Sequence, residues 1–166
     1  MPDFRYWYWR PYGLRGGGGD TYMQVTELWL QANGARITAS GQWYNWNVSL
    51  TGNSTSNSNA DSLEGQGPDK VDDGTNSKWV DLRGAGGGLW RDFGQTIYAD
   101  QLCWVTGDDA TWRDPASWVI YGSNDNSTWT NLWESFDTPT TSRITLAGTW
   151  PLSGTKRRPG SFLSFF

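Results

Sequence analysis

Apolar residues fall in short runs along this chain, each closed by Gly, Pro, Asn, Asp or Ser. No stretch keeps a helical apolar period for the eleven or so positions that would mark a helix, so the pattern predicts strands. They are expected at 4–9, 25–30, 89–93, 101–106, 118–121, 128–132 and 143–147. The first is aromatic at nearly every position and reads as a strand buried on both faces or lying at an interface. At 118–121 four apolar residues run unbroken, Gly-Ser-Asn-Asp-Asn-Ser reverses the chain, and 128–132 resumes with β-favouring residues. Asn126 stands where the turn calls for a left-handed residue, a conformation Asn tolerates better than most. Residues 41–66 carry the weakest pattern and dissolve into Asn, Ser and Thr from 53 to 59. Strands at this spacing predict an all-β, two-sheet antiparallel sandwich of jelly-roll type, with Trp79, Trp118 and Trp129 in its core. Residues 1–150 are read as the domain, and 151–166 as a tail docking on it or on a partner subunit.

Composition sharpens the picture at a few points. The chain has 166 residues, enough for one domain with a real core. Its 13 Trp residues exceed what such a core needs, so some are expected at the surface, where Trp serves interfaces and stacks on sugar faces. A formal charge of −4 is unsuited to broad phosphate binding, so no nucleic-acid partner is expected. Cys103 is the single cysteine and no intrachain disulfide can form. No apolar run approaches membrane-spanning length, and the N-terminus lacks the pattern of a secretory signal. Synthesis in a cytoplasm is therefore expected, and the sequons at Asn47, Asn53 and Asn126 carry little weight. The glycine loop at 84–88 is followed by a strand pattern rather than a helix, which argues against a nucleotide cradle.

Several segments together resemble the discoidin family, the coagulation-factor C-type domains of galactose-binding-like jelly rolls. They are 112–129, beginning Trp-Arg-Asp-Pro; the acidic loop 71–79, ending in Lys-Trp; 22–30, with Glu27 before Leu-Trp-Leu; and 90–94, Trp-Arg-Asp-Phe-Gly. The resemblance covers roughly residues 4–150. It implies a binding domain rather than an enzyme. It also implies a structural calcium held by Glu27, Asp72 and Ser77, although Gly74 stands where relatives often have an Asp or Asn side chain. Read from the residues alone, the same loop could instead close an Asx-type turn through Asp72 and Asp73.

The ligand surface is expected on the loops at one end of the sandwich. Trp43, Tyr44 and Trp46 lie in a polar stretch, and Asp109, Trp112, Arg113 and Asp114 combine an indole face with hydrogen-bonding groups, the mixture a sugar needs. The alternative is that Trp43 and Trp112 pack beneath loops and Arg113 pairs with a neighbouring acid. With no His in the chain, Ser-His-Asp and Cys-His catalysis and the usual zinc sites are excluded. A carboxylate-based glycoside hydrolase survives only as an outlier. The aromatic ends, Tyr6, Trp7 and Trp9 with Phe162, Phe165 and Phe166, are expected to bind partners, either other virion proteins or further copies of the chain. The combined expectation is a non-enzymatic, virion-associated structural or adhesion module that touches a cell-surface glycan. The alternative is a stand-alone extracellular lectin-like domain.

Overall fold

The computed structural model describes residues 3–17, 22–39, 41–46, 55–56, 61–136 and 139–152. Among these the chain is all-β, and every strand pairing is antiparallel. The strands are β1 (Asp3–Leu14), β2 (Met23–Val25), β3 (Glu27–Ala32), β4 (Ala35–Arg36), β5 (Tyr44–Trp46), β6 (Thr55–Ser56), β7 (Trp79–Asp81), β8 (Leu89–Tyr98), β9 (Gln101–Val105), β10 (Pro115–Ser123), β11 (Thr130–Ser135) and β12 (Leu146–Pro151). One sheet has the order β11-β10-β1-β8-β5-β6, a second β12-β9-β3-β4, and β2 pairs with β7 in a small third ladder. The antiparallel sandwich expected from the pattern is present, with that third ladder added. Its pairing is compatible with a jelly roll.

The two larger sheets meet across an indole-rich core. Period-2 alternation turns Trp7 and Trp9 of β1, Leu89 and Phe93 of β8, and Trp118 and Ile120 of β10 inward. Leu28 and Leu30 of β3 and Leu102 and Trp104 of β9 face them from the other sheet. Contact across the gap is aromatic, Trp9 against Trp104 with centroids 6.4 Å apart and Trp118 edge-on to Trp150 at 4.9 Å. Trp7 and Trp9 are wholly buried inside their own domain, so their expected role in binding partners is withdrawn. Phe162, Phe165 and Phe166 lie outside the described residues.

The opposite face of the six-stranded sheet carries a second aromatic layer. Tyr8 stacks on Trp46 at 4.4 Å, Tyr6 on Trp90 at 5.9 Å, and Trp129 stands edge-on to Trp46 at 5.7 Å. Trp129 belongs here and not to the inter-sheet core where it was expected. This layer is what makes β1 apolar on both faces.

Two strand boundaries depart from the pattern for identifiable reasons. The run 25–30 is split at Thr26, because Val25 pairs with Trp79 while Glu27 pairs with Val105. The Thr26 hydroxyl marks the switch by donating to the Thr106 carbonyl at 2.8 Å. The strand expected at 143–147 starts at Leu146, since Ile144 has φ +48°, a turn conformation that is rare for a β-branched residue. The weakly patterned 41–66 segment still supplies β5 and β6 at one edge of the six-stranded sheet.

Candidate functional site

A cleft of about 390 Å³ opens between the segment after β4, the loop at 68–74, and β8. Its chemistry begins with Arg91. Alternation along β8 places this residue on the inner face between Leu89 and Phe93 and opposite Trp7, a position otherwise given to apolar side chains. Arg91 is 3% exposed. One guanidinium nitrogen, Nη1, donates to Asp72 Oδ2 at 2.5 Å, and Nη2 donates to the Ala39 carbonyl at 2.7 Å. The guanidinium also lies 4.2 Å from the Phe93 ring centroid. Its Nε is buried and has no hydrogen-bond partner among the described residues. Burial lowers the Arg91 pKa, and Asp72 offsets part of that.

The cleft wall is an ion network. Arg36 sits above the Trp29 ring at 4.9 Å and donates through Nη2 to Glu27 Oε2 at 2.7 Å. Its Nε donates to Asp72 Oδ1 at 3.0 Å, and its Nη2 also bonds that oxygen. The Gly74 amide completes Glu27 by donating to Oε1 at 2.9 Å. Gly74 has φ +72°, which is how the loop turns that amide back toward β3 at little cost. Burial raises the Glu27 pKa, with Arg36 and the Gly74 amide pulling against it. Burial also works against the Arg36 charge, but Asp72 and Glu27 outweigh it and hold the group above its ordinary value. Gly41 closes the cleft's other side: it has φ +108°, and a Cβ there would come within 2.6 Å of the Asp92 carbonyl.

The site residues expected from sequence separate into three places. Trp43 is 1% exposed, packs into the inter-sheet core and lines the cleft, with Arg91 5.8 Å from its ring. Tyr44 and Trp46 point to the opposite face, where they meet Trp90 and Tyr8. Trp46 is 5% exposed, so neither it nor the Trp43 indole offers a free stacking face, and both are corrected from ligand contacts to packing residues.

At the loop after β9, Trp112 is 51% exposed and Arg113 lies 5.1 Å over the Tyr22 ring. Asp109 pairs with Lys78 at 2.8 Å. Asp114 is wholly buried and accepts from Arg143 at 2.8 and 2.5 Å, with Arg15 at 3.6 Å. It ties loops together and cannot face a ligand, a second correction.

Glu27 and Asp72 do come together, through Arg36. Ser77 belongs to an exposed turn, where its amide donates to Thr75 Oγ1 at 3.0 Å. Of the two readings of this loop, the Asx-type turn is formed, by Asp73, which accepts from the Thr75 amide at 2.8 Å. Among the described residues no group of three or more His, Cys, Asp or Glu is placed to hold a metal ion. The donor set does not fit calcium either, since each oxygen of Glu27 and Asp72 already accepts from an N–H.

Sequence reasoning passed over Arg91 and Arg36. The signal for Arg91 was there: Leu-Trp-Arg-Asp-Phe at 89–93 puts Arg in phase with the two inward residues. Arg36, in a two-residue strand, gave no such sign. No helix among the described residues is long and apolar enough to cross a membrane. Compared with family models, curated proteins and solved structures, the chain matches none.

Proposed function

We propose that this chain is a non-catalytic, discoidin-like binding module whose cleft takes a neutral glycan. The observation that carries the reading is the mixed lining of the cleft, where Arg36 and Arg91 lie beside Asp69, Asp72 and Asp73, with Thr38 and Gln42 at the opening. The surroundings favour a polyhydroxylated neutral ligand over an anion. Arg36 and Arg91 are matched by Asp69, Asp72 and Asp73 around the same opening, so there is no positive excess to hold a free carboxylate or phosphate. Sugar hydroxyls can donate to the exposed Asp69 and Asp73 carboxylates on that lining. Thr38 and Gln42, both exposed on the rim, add neutral hydrogen-bonding groups. The proposal covers recognition alone, because Trp7 and Trp9, two of the six residues on which the expected assembly role rested, are consumed by the core.

The test is a glycan array followed by calorimetric titration of the best neutral ligand. Thr38→Ala, at an exposed position, is expected to weaken binding several-fold with an unchanged melt. Asp69→Asn, which removes the charge of an exposed acceptor on the cleft lining, is expected to cost up to about tenfold, the scale of about one charged hydrogen bond. Loss of binding with Trp112→Ala but not with either cleft variant would move the site to the 107–114 loop. Silence across the whole array at high concentration would end the proposal.

A further inference from the structure

We infer that the Arg36 guanidinium performs, permanently and without metal, the cross-linking that a calcium ion is implied to perform in discoidin-like loops. The geometry is specific. Glu27 starts β3 and Asp72 lies in the loop before β7; the Leu28 amide bonds the Val71 carbonyl at 2.7 Å, which sets the two segments side by side and leaves their like-charged carboxylates to be bridged. Arg36 joins them from a third element, reaching Glu27 Oε2 and Asp72 Oδ1 with one nitrogen and Asp72 Oδ1 again with Nε. The two remaining oxygens are closed by the Gly74 amide and by Arg91. A divalent cation needs six to eight oxygens with free lone pairs. Here it would meet only two carboxylates, each already bonded by a guanidinium, beside the two fixed positive charges of Arg36 and Arg91. A guanidinium supplies the same electrostatic bridge and adds directed hydrogen bonds, and it keeps its charge across the accessible pH range. The stacking of Arg36 on Trp29 fixes the side chain in the bridging pose.

The consequence is functional as well as structural. Arg36, Asp72, Asp73 and Gly74 form one wall of the cleft, so that wall is assembled whenever the protein is folded, whatever the supply of metal. The inference does not depend on the glycan reading, since it is tested by stability and by ion binding rather than by affinity for a sugar.

The experiment compares thermal melts of the full chain in excess EDTA and in millimolar calcium chloride, with calcium titrated calorimetrically in parallel. Superimposable melts and no calcium heat are expected. A melt that falls in EDTA and recovers with calcium overturns the inference. Arg36→Met is expected to lower the melting temperature by roughly 5 °C or more in either buffer. A melt unchanged by Arg36→Met overturns it from the other side. Should Arg36→Met fail to fold, a cycle of Arg36→Gln, Glu27→Gln and the double variant decides. Coupling between the two positions supports the bridge, and additive losses refute it.

Discussion

Asn126 shows how much one residue can carry. It sits in the turn between β10 and β11 at φ +57°, and its side-chain oxygen accepts from the Trp90 indole at 3.0 Å, fastening the turn to the outer aromatic layer. Asp125 beside it accepts from the amides of Ser127 and Thr128 at 2.9 and 2.7 Å, and those bonds hold its carboxyl well below the usual range. Gly at position 126 would suit the backbone but lose the indole bond, and Ala would fit neither. Asn126→Ala is expected to cost about 1–2 kcal/mol, and Asn126→Gly less, by urea denaturation followed by tryptophan fluorescence. Asp114 is the other telling residue, a carboxylate shut inside a clamp of Arg15 and Arg143. Asp114→Asn should destabilise by about 2–3 kcal/mol, below the figure for a wholly buried pair because both arginines still reach water. Equal stability of wild type and variant would show that the clamp is inert.

Between elements, the joint of β1 with β8 lends itself to a pH test. Arg5 donates twice to Asp92 at 2.8 Å, and with the Gly94 amide it holds the Asp92 carboxyl below its ordinary value. In the window between the depressed and the ordinary pKa the unfolded chain binds more protons than the folded one. The contribution of Asp92 is therefore complete above pH ~4 and is lost as pH falls through the depressed value. Arg5→Ala is expected to lower the melting temperature slightly at neutral pH, and the difference from wild type is expected to vanish as pH falls through the depressed value. Glu27 has the opposite sign. Burial raises it, the folded state holds its proton more tightly, and its contribution declines as pH rises through the window from the ordinary to the raised value. At the sheet-to-sheet contact, Trp118 wedges between Trp9 and Trp150. Trp118→Ala should cost about 3–5 kcal/mol in a denaturant melt, the range for emptying an aromatic site.

For the whole molecule, the order of the strands matters more than their number. The first strand lies in the middle of the larger sheet, paired with β8 and with β10, whose partners lie some eighty to one hundred and twenty residues further along the chain. No early stretch can complete that sheet by itself. Long-range closure of this kind slows folding, so refolding after rapid dilution from denaturant is expected in milliseconds to seconds rather than microseconds. Microsecond refolding in a temperature-jump experiment would contradict the topology. The last described strand is equally committed: β12 pairs with β9, and Leu152 beyond it is buried and bonds Asp100. A chain ending at Thr145 should lose the cooperative thermal transition of the full chain.

Local information decided a good deal. Short apolar runs bounded by turn residues predict β1, β8, β9, β10 and β11, because alternation and β propensity act within a few residues. The same locality makes the Asn126 turn legible. Which tryptophans would be free was not local: Trp43 and Trp46 sit in a polar stretch and are nonetheless buried, by partners far away in sequence. Nor could the chain order show that Glu27, Arg36, Asp72 and Arg91 share one network. Charges separated by such lengths of chain meet only when several strands have been placed, so their pairing, and with it the cleft, belongs to the tertiary structure.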